Sequence, residues 1–173
     1  MHRLLAILLL IAAVVSRAGA ATTCGNGLLD AGETCTACPA DCVVQRCTAG
    51  AQRVIVGIEG TWTADEHVSG VTVVLSYRGN RVSLPGKGSD STVRSRVTDT
   101  PADAVVAVND LDYALRVVLA RGTPMPAGRL LNVAFDQCDG APPVTASDFA
   151  CSIEGCASVY GPAASCGCRA ILP

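Results

Sequence analysis

Residues 71–77, VTVVLSY, decide the fold class. The run is apolar, rich in valine and preceded by Gly70, with Arg78-Gly79-Asn80 after it. A β-branched side chain loses rotamer freedom in a helix but packs well on a pleated surface, so so short a run predicts a strand. Working outward, residues 53–58 (RVIVGI) have the same texture, and residues 81–84 form a short continuation that stops at Pro85-Gly86-Lys87-Gly88. Residues 92–97 alternate, with Val93 and Val97 separated by Arg94, Ser95 and Arg96. Further strands are expected at 104–108, 113–120 (YALRVVLA), 130–135 (LLNVAF), 149–153, 156–160 and 168–172. A single helix over 104–120 competes for its segment. Asn109-Asp110-Leu111-Asp112 breaks it in the middle and valines fill both halves, so two strands about a turn fit better. About nine or ten short strands with Gly, Pro, Asp and Asn between them predict an all-β sandwich over residues 51–173.

Residues 21–50 follow a different logic. Within them, 24–47 read CGNGLLDAGETCTACPADCVVQRC, five cysteines in twenty-four residues with glycines at 25, 27 and 32 and Pro39. No hydrophobic periodicity is present, so this segment cannot bury an adequate core and must take its order from cross-links. It is expected to be a small disulfide-rich knot.

Residues 1–20 carry basic His2 and Arg3, twelve apolar residues from 4 to 15, and small residues ending Ala18-Gly19-Ala20. That is the layout of a secretory signal peptide, with a cut expected before Ala21. Twelve apolar residues fall short of the about 20 that span a bilayer, so no membrane association is expected after cleavage. The cysteine that follows, Cys24, comes after Ala21-Thr22-Thr23, which argues against a lipid anchor. The expected destination is secreted or extracellular, where disulfides persist. The formal charge is −2, and loss of Arg3 and Arg17 with the signal leaves 11 basic against 15 acidic residues. No basic block exists, which excludes nucleic acid as a natural partner.

The ten cysteines divide evenly. Cys24, Cys35, Cys38, Cys42 and Cys47 lie in the knot; Cys138, Cys151, Cys156, Cys166 and Cys168 lie in the body. Both counts are odd, so if all ten pair, an odd number of bridges must join knot to body.

Chemistry-bearing candidates are few. Asn26, Asp30, Glu33 and Asp41 offer oxygen ligands in a glycine-rich loop, the donor set calcium takes, although the spacing is not that of an EF-hand and turn chemistry explains the same residues. No other cofactor is expected. Cys35-x-x-Cys38 has zinc-ligand spacing, but an oxidising destination favours disulfides. After the signal, His67 is the single histidine, so a Ser/His/Asp arrangement would depend on it alone, and it sits in a polar turn. Asp110 and Asp112 are paired carboxylates that equally suit a strand–strand turn. Phe135 and Phe149 read as core, whereas Trp62 either lies exposed or plugs the sandwich.

Two resemblances extend this reading. The segment from Cys24 to Cys42 resembles the repeat CGNGxxxxGExCxxCPxDC of many secreted bacterial proteins and peptidases, in many of which Leu29 is a cysteine. It implies a secreted cysteine-rich module. Residues 70–86 (GVTVVLSYRGNRVSLPG) and 128–135 (GRLLNVAF) resemble cohesin-type domains, a strand ending in Leu-x-Tyr and a later Gly-x-Leu-x-x-Leu-x-Phe strand. That resemblance implies a cohesin-like jelly-roll β-sandwich of about nine strands, a fold shared with several carbohydrate-binding modules, and a role in protein docking or polysaccharide binding without catalysis. The extra cysteines are not cohesin features, so the fold is carried over and the dockerin partner is not. The expected function is a non-catalytic extracellular module binding a protein or polysaccharide. A purely structural secreted protein and a small secreted hydrolase are the alternatives.

Overall fold

The computed structural model describes residues 24–43, 46–162 and 165–173. The expected signal over residues 1–20 and its cut before Ala21 lie outside the described residues. The body is an all-β sandwich of two antiparallel sheets. Its elements are β1 (Ala49–Thr61), β2 (Val68–Tyr77), β3 (Val82–Ser83), α1 (Ser91–Ser95), β4 (Val97–Thr98), β5 (Val105–Asp110), β6 (Ala114–Ala120), β7 (Gly128–Cys138), β8 (Phe149–Ser158), β9 (Gly161–Pro162) and β10 (Gly167–Ile171). The first sheet has the order β10-β1-β7-β3, with β4 also on β7; the second has the order β5-β6-β2-β8-β9.

Alternation along each strand sets which side chains meet. Val54, Val56 and Ile58 of β1 and Leu131, Val133 and Phe135 of β7 face Val71, Val73, Leu75 and Tyr77 of β2 and Leu115, Val117 and Leu119 of β6. Each such side chain contributes about 1.5–3 kcal/mol on full burial. At one end Trp62 lies over Gly60, where a β-carbon would collide with its ring, and its indole N–H donates to the Met125 carbonyl at 3.2 Å. The indole thus plugs the sandwich.

Three expected strands are corrected. Residues 92–97 do not form one strand: Ser91–Ser95 is a short helix, capped by the Asp90 carboxylate, which accepts the Val93 N–H at 2.8 Å. Val93 and Val97 are four residues apart, a spacing that puts two side chains on one side of a strand and equally on one face of a helix. The cap decides between them. Residues 149–153 and 156–160 are one strand, β8, interrupted by a bulge: Thr72 pairs with Gly155 and Val73 with Ile153, leaving Glu154 as the extra residue.

The knot is built on a 3-10 turn (Pro39–Cys42) and on the bridges Cys24–Cys38 and Cys35–Cys42. It lies against the outer face of the second sheet. The Leu29 N–H donates to Ser76 Oγ at 2.8 Å, and the Tyr113 hydroxyl donates to the Cys35 sulfur at 3.2 Å. Val74 and Ser76, which point away from the core, are buried. Cys47–Cys138 then ties the end of the knot to β7, the one crossing bridge among five. Cys151–Cys168 clamps β8 to β10 across the two sheets, and Cys156–Cys166 lies beside it. No cysteine is free.

Candidate functional site

β2 carries its last residue, Tyr77, to the end of the sandwich where the β5–β6 turn closes. The Tyr77 ring stays in the core, and its hydroxyl donates to Asp110 Oδ1 at 2.8 Å. The turn itself fixes that carboxylate. The Asp110 N–H donates to the Gly88 carbonyl at 2.8 Å, and Asp112, held in the left-handed region at φ 69°, donates its own N–H to Asp110 Oδ1 at 3.0 Å. Asp110 is only 7% exposed, and its Oδ2 has no protein partner among the described residues. Asp112 pairs with Arg46, which arrives from the end of the knot, at 3.4 Å. Arg46, Tyr77, Ser83, Lys87, Asp110 and Asp112 line a cleft of about 260 Å³.

Burial pushes the Asp110 carboxyl above its ordinary range, because a charge removed from water loses solvation; the Tyr77 hydrogen bond opposes the shift. Burial, reinforced by the charge of Asp110, also drives the Tyr77 hydroxyl far upward, so it remains a donor throughout the physiological range. A carboxyl with a raised folded pKa weakens the fold as pH rises. Below about pH 4 both states hold the proton; above it the unfolded chain releases its proton first. Asp110→Asn, which keeps an acceptor for Tyr77, is therefore expected to gain stability relative to wild type between pH 4 and 7. Paired thermal melts across that range check this, and a constant or opposite difference would refute it.

The knot residues are organised differently. Asp41, 2% exposed, accepts the Gly25 and Gly27 N–H groups at 2.8 and 2.6 Å. Both glycines adopt positive φ, 92° and 80°, which turns their amides toward the same carboxylate. Asn26 accepts the Leu28 N–H at 2.7 Å and donates to Asp30 at 2.8 Å; Glu33 Oε2 accepts the Asp30 N–H at 3.0 Å, while its Oε1 is buried without a partner. Among the described residues, the one trio of acid or sulfur ligands gathered within 4.8 Å is Cys24, Cys38 and Asp41, whose two sulfurs are bonded to each other. Asp30 and Glu33 instead line a second cleft of about 530 Å³ with Glu154 of β8. Asp41→Ala removes the acceptor of two part-buried N–H groups, at about 1 kcal/mol each. Amide exchange at Gly25 and Gly27 should accelerate sharply while the β2 amides change little; equal protection in the variant would contradict it.

The remaining candidates separate. His67 ends the loop before β2, with a left-handed backbone (φ 47°) and its ring edge-on to Tyr160 at 5.2 Å. It and Tyr77 sit at opposite ends of a ten-residue strand, about 30 Å apart. Tyr77, Phe135 and Phe149 form one buried aromatic row, and Tyr160, 82% exposed, is the lone strongly exposed aromatic side chain among the described residues. The pairing of Asp110 with Asp112 was visible in the sequence; Arg46, Tyr77 and Lys87 were not. The one available signal was a tyrosine closing an otherwise apolar strand.

Comparison with protein-family models, curated proteins and solved structures found no match to this chain.

Proposed function

We propose that this chain is an exported, non-catalytic binding module that recognises a polysaccharide or protein outside the cell through the Asp110 cleft. The observation that carries the reading is the construction of the cleft. Its central acceptor is fixed before any ligand arrives, Asp110 being held by Tyr77 and the Asp112 amide, and the backbone that carries Arg46 is anchored beside the Cys47–Cys138 bridge. Such preorganisation lowers the entropy cost of binding. Export is supported by the signal-like first twenty residues and by five disulfides, and no helix among the described residues is long and apolar enough to cross a membrane.

A hydrolase reading draws on the raised Asp110 beside Asp112. Glycoside hydrolysis, however, uses carboxyl groups that flank the scissile bond. These two belong to one turn, two residues apart, with the amide of one bonded to the carboxylate of the other, and so share one wall. His67 lies at the far end. Glycan and protein arrays probed with the disulfide-intact protein test the proposal: saturable binding to one class is expected, and silence on both would leave a structural role. Calcium at the knot belongs to the same proposal, and it would have to compete with the hydrogen bonds Asp41 and Asn26 already make. A thermal melt with and without EGTA decides it, an unchanged midpoint removing the ion.

A further inference from the structure

We infer that the Asp110 cleft takes a single ring of a neutral sugar, the end residue of a glycan, and holds it by hydrogen bonds without stacking. This rests on the binding reading above and names its ligand. Arg46 and Lys87 line the cleft together with Asp110 and Asp112, two formal charges of each sign around one cavity. An anion meets two carboxylates there and a cation meets two basic groups, so neither gains from the whole set.

Asp110 Oδ2 is an acceptor with no protein partner, and the Lys87 ammonium is a donor with none, among the described residues. Carboxylates only accept, ammonium and guanidinium only donate, and Ser83 does both. A sugar hydroxyl both donates and accepts, so adjacent hydroxyls on one ring satisfy both kinds of group together. Asp110 also sits 7% exposed, where a bond to it is little diluted by water.

A cleft of about 260 Å³ falls below the range of about 300–1,000 Å³ that holds drug-sized ligands. It has room for one ring. An internal stretch of glycan needs an open groove or a row of exposed rings to lie on, and the aromatic row here is in the core.

Calorimetric titration of the disulfide-intact protein tests this, with glucose, galactose, mannose and their methyl glycosides as probes, and glycine, glutamate and inorganic phosphate as the charged arms. Saturable binding of at least one neutral hexose is expected. Asp110→Asn should weaken it about tenfold, the worth of one hydrogen bond to a charged group. Lys87→Gln should weaken it too, and as an exposed side chain without a partner its replacement leaves folding intact. Binding confined to the amino acids or phosphate, no binding by any hexose, or hexose binding indifferent to both substitutions would overturn the inference. If the arrays show a polysaccharide whose binding no monosaccharide competes with, the ring-end ligand is wrong and the binding module stands; silence on every array overturns the module itself.

Discussion

Replacing Phe135 with alanine is expected to lower the unfolding free energy by about 3–5 kcal/mol. The ring is completely buried in β7, the strand that pairs with β1, β3 and β4. It reaches across the sandwich to Tyr77 of β2 at 5.1 Å and Phe149 of β8 at 5.3 Å, so it joins the two sheets. Its removal loses the transfer free energy of the ring, opens a cavity, and breaks two aromatic pairs worth about 0.5–1.5 kcal/mol each. Against a total stability of about 5–15 kcal/mol, that leaves a marginal domain. Urea unfolding should show the midpoint falling sharply with an unchanged slope. A loss below about 1 kcal/mol would mean the cavity collapses freely and the ring does not join the sheets. The Tyr77 ring would lose its neighbour as well, so the variant should also hold Asp110 less firmly.

What the sequence disclosed about this joint differs from what it disclosed about the cleft. Phe135 closes LLNVAF, an apolar run whose inward positions follow from alternation alone, and β2 was legible for the same reason. β2 also shows why alternation can blur. Val73 to Tyr77 are all buried because the core covers one side and the knot the other, and Ser76, within an apolar run, receives the Leu29 amide. Residues 92–97 misled because a four-residue repeat of valine is shared by helix and strand; the deciding signal was Asp90, one cap residue upstream. The two runs flanking Glu154 read as two strands because a bulge shifts the alternation by one. Apart from the knot's cover over β2, none of these needed information beyond the local chain.

The cleft did. Asp110 and Asp112 were legible both as a carboxylate pair and as turn formers, and they are both: the turn geometry is what orients the pair. Arg46, Tyr77 and Lys87 come from three separate segments and share a cleft with Asp110 only through the packing of β2, β5 and the knot's end. No spacing rule connects them. The same limit applies to the cysteines. Parity demands an odd number of crossing bridges and does not choose among them; the fold selects Cys47 and Cys138 because β1 enters beside β7, with Ala49 paired to Cys138.

That crossing bridge is the second site where a large effect is expected. Cys47→Ser with Cys138→Ser should destabilise the protein by roughly 4.5 kcal/mol on the chain-entropy account, since the closed loop spans 91 residues. No other bridge has one end inside that loop and the other outside it, so the unfolded chain regains the whole closure entropy. Removing Cys35–Cys42, a separation of 7, should lose at most roughly 2.5 kcal/mol by the same relation, because Cys24–Cys38 has one end inside that loop and still restrains it. The comparison is sharper than either value, because both variants trade two sulfurs for two hydroxyls. Chemical unfolding of the two variants beside wild type measures it. If the short bridge proves as costly to lose as the long one, native-state contacts rather than loop closure explain the stabilisation. The long bridge has a further, local consequence. Arg46 stands one residue before Cys47 and reaches Asp112 across an exposed ion pair worth at most about 1 kcal/mol, too little to hold the end of the knot in place. With the bridge gone, the wall of the cleft that carries Arg46 should separate from the wall that carries Asp110. Ligand binding should then fall under conditions where the sandwich is still folded, whereas the Cys35–Cys42 variant should keep it.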